Sequence, residues 1–247
     1  MKEGIGHFIK SILWPVFCVG CGQEGEWWCL KCQRQEDFCL LDNCPACNQP
    51  NCQRDCQAFI NGSFFIARVG AFFDYDHTNQ IGRLIKQLKY GMAFDMAGTL
   101  IDVVAKAFAN NISALAENFF SSEPVCLMPV PLYPSRQRQR GFNQARLIAE
   151  WFCSASSKVG RKIELLPDEF LVRVKYTDPQ ARLSAKKRRQ NLRGAFEWRS
   201  GEMAPKNIVL IDDVYTTGAT MNECARVLRA NGAKSIMGLC LARGEMN

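Results

Sequence analysis

A chain of 247 residues, 47% hydrophobic and 22% charged, can bury the core of one α/β domain with a small appendage. Its formal charge of +7 favours phosphate-bearing partners without choosing among nucleotides, single-stranded nucleic acid and anionic headgroups. No run of about 18 apolar residues occurs, which argues against a bilayer-spanning helix, and the N-terminus MKEGIGHFIK lacks the apolar core and cleavage site of a signal peptide.

In chain order the first pattern is helical. Ile5, Phe8, Ile9, Ile12 and Leu13 recur at helical spacing until Pro15, predicting a short amphipathic helix that packs on the module after it or, alternatively, lies on a membrane surface. Nine of the thirteen cysteines then fall between Cys18 and Cys56, a stretch rich in Gln, Asn and Gly that reads as a separate small module. An odd cysteine count without a leader points to thiolates on metal in a reducing cytoplasm rather than to disulfides. Cys18 and Cys21, Cys29 and Cys32, and Cys44 and Cys47 are C-x₂-C pairs, and Cys52 with Cys56 is a wider fourth pair. This is zinc-knuckle spacing, and eight thiolates fit two structural Zn²⁺ sites. Short spacers favour Cys18, Cys21, Cys29 and Cys32 on one ion and Cys44, Cys47, Cys52 and Cys56 on the other. A cross-braced pairing stays open, as does replacement of Cys56 by Cys39. An iron–sulfur cluster is disfavoured because no C-x₂-C-x₂-C run is present. Four thiolates leave no open coordination position, so the metal is expected to be structural.

Beyond residue 60 the periodicities alternate. Phe64 to Tyr75 reads as strand, Ile81 to Tyr90 and Asp95 to Phe108 as helices, and Val125 to Val130 as a short buried strand. Gly141 to Trp151 reads as helix, Glu164 to Val174 as extended, Ile208 to Ile211 as buried strand, Ala219 to Ala230 as helix and Ser235 to Leu241 as a last strand. Strands alternating with helices predict an α/β fold, a mostly parallel sheet covered on both faces. The expected division is 1–60 for the helix and cysteine module and 61–247 for the α/β domain. Ligands of such sheets sit beyond the C-terminal strand ends, which directs attention to the loops after Val130 and Ile211.

The second of these loops carries the sharpest chemistry. The apolar run from Ile208 ends in Asp212 and Asp213, and Thr216, Thr217, Gly218, Ala219 and Thr220 then lead into a helix. A helix N-terminus offers free N–H groups and positive dipole to a phosphate, with threonine hydroxyls as further donors. Carboxylates one loop away accept hydrogen bonds from a vicinal diol. Together they describe a site for a ribose 5-phosphate.

IDDVYTTGAT resembles the phosphoribosyl pyrophosphate signature of type I phosphoribosyltransferases. With LKYG from Leu88, MPVPLYPSRQRQRGFNQARLIA from Met128, RVKYTDPQARLSAKKRRQNLRGAF from Arg173 and the cysteine-rich start, the chain is similar over nearly its whole length to the ComF family of competence-associated proteins. The resemblance implies a type I phosphoribosyltransferase-like fold with an N-terminal double zinc ribbon, and a part in moving single-stranded DNA across the inner membrane from its cytoplasmic side. It also implies phosphoribosyl pyrophosphate with Mg²⁺ as ligand, a pyrophosphate-cradling turn at Pro129 to Leu132 including Pro131, and arginine forks at Arg136, Arg138 and Arg140 beside Asn143. A mobile loop over Tyr176 to Lys187 is implied, with Thr177, Gln180 and Arg188 as its candidates. Asp212 and Asp213 would then support an oxocarbenium-like state electrostatically. Thr216 stands where purine-salvage relatives carry an aspartate, so the acceptor is not inferred to be a purine. Three functions follow for testing: a ribose-phosphate-binding protein of DNA uptake, a transferase acting on an unidentified acceptor, and a zinc-ribbon adaptor to a membrane-associated helicase or channel. Single-stranded DNA could contact Trp27, Trp28 and the run Lys186 to Arg189.

Overall fold

The structure, a computed structural model, describes residues 15–36, 40–49, 52–53, 55–90, 94–120, 124–158, 163–177 and 191–244. The N-terminal amphipathic helix, Cys39, Gln180, Arg188 and the basic run at 186–189 lie outside them.

The cysteine-rich stretch holds α1 (Leu30–Gln33), β1 (Leu41–Asn43) and α2 (Gln57–Ile60). After it come β2 (Val69–Tyr75), α3 (Gln80–Tyr90), α4 (Phe94–Asn110), α5 (Ile112–Asn118), β3 (Cys126–Pro129), α6 (Pro134–Arg140), α7 (Gln144–Lys158) and β4 (Glu164–Leu165). The chain continues through β5 (Leu171–Arg173), β6 (Phe196–Trp198), β7 (Asn207–Tyr215), α8 (Ala219–Ala230) and β8 (Ser235–Gly244). Six strands form one sheet in the order β1-β2-β8-β7-β3-β4, parallel except for β1 at the edge; β5 and β6 make a separate antiparallel pair. The expected mostly parallel sheet is therefore present. Its antiparallel edge strand comes from inside the cysteine-rich stretch, so that stretch is joined to the sheet by backbone pairing.

Alternation within the strands explains why both faces are covered. On β7, Val209 and Ile211 enter one apolar cluster with Ile85 and Leu88 of α3, Val104 of α4 and Phe152 of α7. Ile208 and Leu210 enter the opposite cluster with Cys224 and Leu228 of α8 and Phe196 of β6. Cys224 and Cys240 are fully buried, with their thiols pushed well up by that burial, which fits core residues rather than ligands. Among the described residues no helix is long and apolar enough to cross a membrane.

Three expectations shift in detail. The helix expected over Gly141 to Trp151 is α7, which starts later and runs on to Lys158: Gly141, at φ 81°, instead closes the preceding α6 in the left-handed conformation, and Asn143 opens α7 by accepting the Ala145 N–H at 3.1 Å. The extended run from Glu164 splits between two sheets, since β4 pairs with β3 and β5 with β6. And β7 runs on through both aspartates to Tyr215, so the acids are strand residues rather than part of the loop.

Candidate functional site

A cavity of about 290 Å³ opens at the C-terminal ends of the parallel strands. The continuation of β7 supplies Asp212 and Asp213, with Thr216 and Thr220 following at the start of α8. The turn after β3 supplies Val130, Pro131 and Leu132. Arg136 and Arg140 of α6 and Asn143 before α7 line the same space. Thr217, Gly218 and Ala219 line a small recess of about 30 Å³ together with Asp212 and Thr216. The structure thus gathers Pro131, Arg136, Arg140, Asn143, Asp212, Asp213, Thr216 and Thr220, from segments some 80 residues apart, around one cavity, with Thr217, Gly218 and Ala219 on the neighbouring recess; Arg138 lines neither. Thr177 stands just behind the cavity, buried, accepting Arg136 Nη2 on its carbonyl at 3.0 Å and Arg173 Nη2 on its hydroxyl.

Asp213 is 7% exposed and pairs with Lys89 Nζ at 2.9 Å. Burial alone would pull the Lys89 ammonium down, but Asp213, through charge and hydrogen bond, and Asp212 hold it above its usual value. Asp212 accepts the Asp213 N–H at 2.8 Å. Burial first, and the adjacent Asp213 carboxylate second, push Asp212 up to about 7 against the pull of Lys89. One carboxylate is thus fixed by a cation while its neighbour titrates near neutrality. Arg173 is buried beside them, its guanidinium 5.5 Å from the Phe196 ring centroid; burial and then Arg136 pull it below its usual value.

Motif reading passed over Lys89 and Arg173, as it did Tyr75, His77 and Gln144 of the same lining, although Lys89 and Arg173 stand inside the quoted segments LKYG and RVKYTDPQ. Lys89 follows directly on buried Leu88 near the end of α3, and so emerges at the strand ends where the helix stops. Four cations, Lys89, Arg136, Arg140 and Arg173, face two carboxylates across the cavity, a surplus that suits a polyanion.

The loop between β7 and α8 is closely backed by Tyr215. Gly218 caps α8 at φ 67°, and a Cβ there would sit 2.0 Å from the Tyr215 hydroxyl oxygen. Gly218→Ala meets both the left-handed penalty and that contact. It is expected to cost at least about 1–2 kcal/mol, checked by thermal unfolding.

The cysteines form two groups in the sequential pairing, Cys18, Cys21, Cys29 and Cys32, and Cys44, Cys47, Cys52 and Cys56. Within each group all four Sγ atoms lie within 4.8 Å of one another. Thiolates at about 2.3 Å from a tetrahedral ion stand about 3.8 Å apart, and the Cys21–Cys29 and Cys44–Cys56 sulfurs are 3.8 Å and 3.9 Å apart. Backbone N–H groups of Gly20 and Cys29 point at Cys18 Sγ, and that of Ala46 at Cys44 Sγ, each at 3.4 Å. The donor set fits a four-thiolate metal. Trp28 is not a surface for base stacking: it is 1% exposed, and its Nε1 donates to Gln80 Oε1 at 2.9 Å.

Comparison with known proteins gives a consistent picture. No family model matches. Over 123 residues the chain is 41% identical to Competence protein F of Haemophilus influenzae, an alignment spanning about half of each protein, 49% of this chain and 51% of that one. It is 31% identical over 173 residues to DNA utilization protein YhgH of Salmonella typhimurium, covering 68% of this chain and 69% of the relative. Competence protein ComFC of Bacillus subtilis is 27% identical over 225 residues, with 87% and 83% covered. With this similarity, the mostly parallel sheet and the paired cysteine groups, the chain belongs to the ComF family.

Proposed function

We propose that the cavity binds phosphoribosyl pyrophosphate or a related ribose phosphate, and that the protein uses this site in the uptake of DNA. The observation that carries the first half is the placement of Asp212 and Asp213, the second anchored by Lys89 at 2.9 Å, opposite Arg136 and Arg140 and next to the open N-terminus of α8. The carboxylates take the ribose hydroxyls, the Thr216–Thr220 loop the 5-phosphate, and the arginines with the turn at Pro131 the pyrophosphate. Mg²⁺ arrives with the ligand's phosphates rather than in a protein cage, since Asp212 and Asp213 are the carboxylates lining the cavity and Asp213 is already engaged. The two cysteine groups hold structural Zn²⁺. The names of the relatives, competence and DNA utilization proteins, support the second half. On this reading the protein works at the cytoplasmic side of the inner membrane on incoming single-stranded DNA.

Titration calorimetry of the zinc-loaded chain with phosphoribosyl pyrophosphate and Mg²⁺ tests the site. Saturable binding at one site per chain is expected, and a flat titration overturns the reading. Binding without pyrophosphate release across a panel of acceptors marks a binding protein, and release marks a transferase. Single-stranded DNA is expected to bind with an affinity that falls steeply with salt.

A further inference from the structure

Tyr215 and Arg243 join two sites that are separate in sequence. Tyr215 ends β7, two residues after Asp213, and is 2% exposed; Arg243 on β8 is its register partner and is 3% exposed. The Tyr215 hydroxyl donates to Pro45 O at 2.7 Å, and Pro45 lies in the turn between Cys44 and Cys47. Arg243 donates from Nη1 to Asn43 O at 2.9 Å and from Nη2 to Cys44 O at 2.7 Å, with its guanidinium 5.1 Å from the Tyr215 ring centroid. Three successive carbonyls of the second cysteine turn are thereby held by the two side chains. The same Tyr215 hydroxyl lies against Gly218, where a Cβ would come within 2.0 Å of it. One buried oxygen touches the metal turn on one side and the phosphate loop on the other.

We infer that Tyr215 and Arg243 are positioning residues that link metal on Cys44, Cys47, Cys52 and Cys56 to ligand at the Thr216–Thr220 loop. The inference rests on the ribose-phosphate reading of that loop. Zinc fixes the turn that carries the Asn43, Cys44 and Pro45 carbonyls. Those carbonyls fix the Tyr215 ring and hydroxyl, and these fix the left-handed Gly218 that starts α8. Loss of metal frees the acceptors, and the loop loses its backing. Linkage is reciprocal, so ligand in the loop strengthens zinc retention at the second group by the factor by which zinc strengthens ligand binding. Among the described residues the first group makes no hydrogen bond to that loop: its module's side-chain contacts run from Trp28 to Gln80 and from the Val19 carbonyl to Arg83 on α3, and from Gln33 to Lys106 on α4.

The test titrates the fully loaded chain to equilibrium against a zinc-selective chromophoric chelator of comparable affinity, with and without phosphoribosyl pyrophosphate. One of the two ions is expected to be held about fivefold more tightly with ligand, the worth of one hydrogen bond, while the other is unaffected. Tyr215→Phe keeps the ring and removes only the hydroxyl; it is expected to erase the ligand-dependent difference and weaken ligand binding about fivefold. A purely structural role would weaken zinc binding in the variant and leave the ligand protection intact. Ligand bound in the calorimeter with both zinc affinities unchanged overturns the linkage alone, and needs no variant. No ligand binding by the loaded wild type overturns the ribose-phosphate reading and the linkage with it. Protection undiminished in Tyr215→Phe removes Tyr215 from the path.

Discussion

Replacing Asp212 and Asp213 together with asparagine is expected to abolish detectable binding of phosphoribosyl pyrophosphate. Two charge-assisted hydrogen bonds at about 1.5–3 kcal/mol each correspond to a loss of at least about a hundredfold, readable by calorimetry at matched Mg²⁺. Stability should respond the other way at position 212. An unfolded Asp212 ionises near 3.8, whereas burial and Asp213 delay the folded carboxyl to about 7. Between these values the folded chain holds a proton that the unfolded chain has lost, so stability declines as pH rises through the window. The penalty is absent below about pH 4 and complete above pH 7. Asp212→Asn removes it and still leaves an oxygen to accept the Asp213 N–H. The single variant is expected to match wild type near pH 4 and exceed it at pH 8 by about 1–2 kcal/mol, a modest gain because the carboxylate borders an open cavity. Thermal melts at the two pH values check the sign. An aspartate kept at a stability cost is consistent with a ligand role.

The second large effect is expected at Trp28. Its ring packs edge-on against Phe73 with centroids 6.4 Å apart, its Nε1 binds Gln80, and its carbonyl accepts Gln33 Nε2 at 2.6 Å. Cys18 and Cys32 share the same apolar cluster, so Trp28 pins the first cysteine group to the face of the sheet covered by α3 and α4. Trp28→Ala empties that volume and leaves Gln80 without its donor. A cost of about 3–5 kcal/mol follows, or a melting temperature lower by about 6–20 °C for a chain of this size. Zinc retention at the first group should fall in step, which metal analysis after gel filtration would show. An unchanged melting temperature would mean that this group is not part of the folded core.

Both effects bear on what could be read from residues alone. The β7 run and α8 were legible because an unbroken apolar tetrapeptide, two acids and a Thr-Gly start each have one common structural use. The cysteine pairing was legible because spacing restricts which thiolates can meet at one ion. Lys89 was not, because a lysine next to an amphipathic stripe is normally solvated, and only the end of α3 against the strand tips makes it face Asp213. Tyr215 and Arg243 were opaque for a related reason. Each reads as an ordinary strand residue until register places it opposite the other and under the cysteine turn, and register is long-range information. The same holds for β1, three residues whose strand character comes from its partner β2 rather than from its own composition.

The sheet order also governs when this protein can first become itself during synthesis. β8 is the last of its strands to be made, yet it lies between β2 and β7 near the middle of the sheet. Until residues 235–244 emerge, β1 with β2, and β7 with β3 and β4, are two half-sheets, each offering an unpaired edge where the other should join. The nascent chain thus carries an unpaired β2 edge from residue 75 until residue 235 emerges, joined by that of β7 after residue 215, a period in which chaperone cover matters most. The aspartates on β7 gain the β8 side of their sheet only when that final strand slots in, so the pocket cannot take its finished shape before the fold closes.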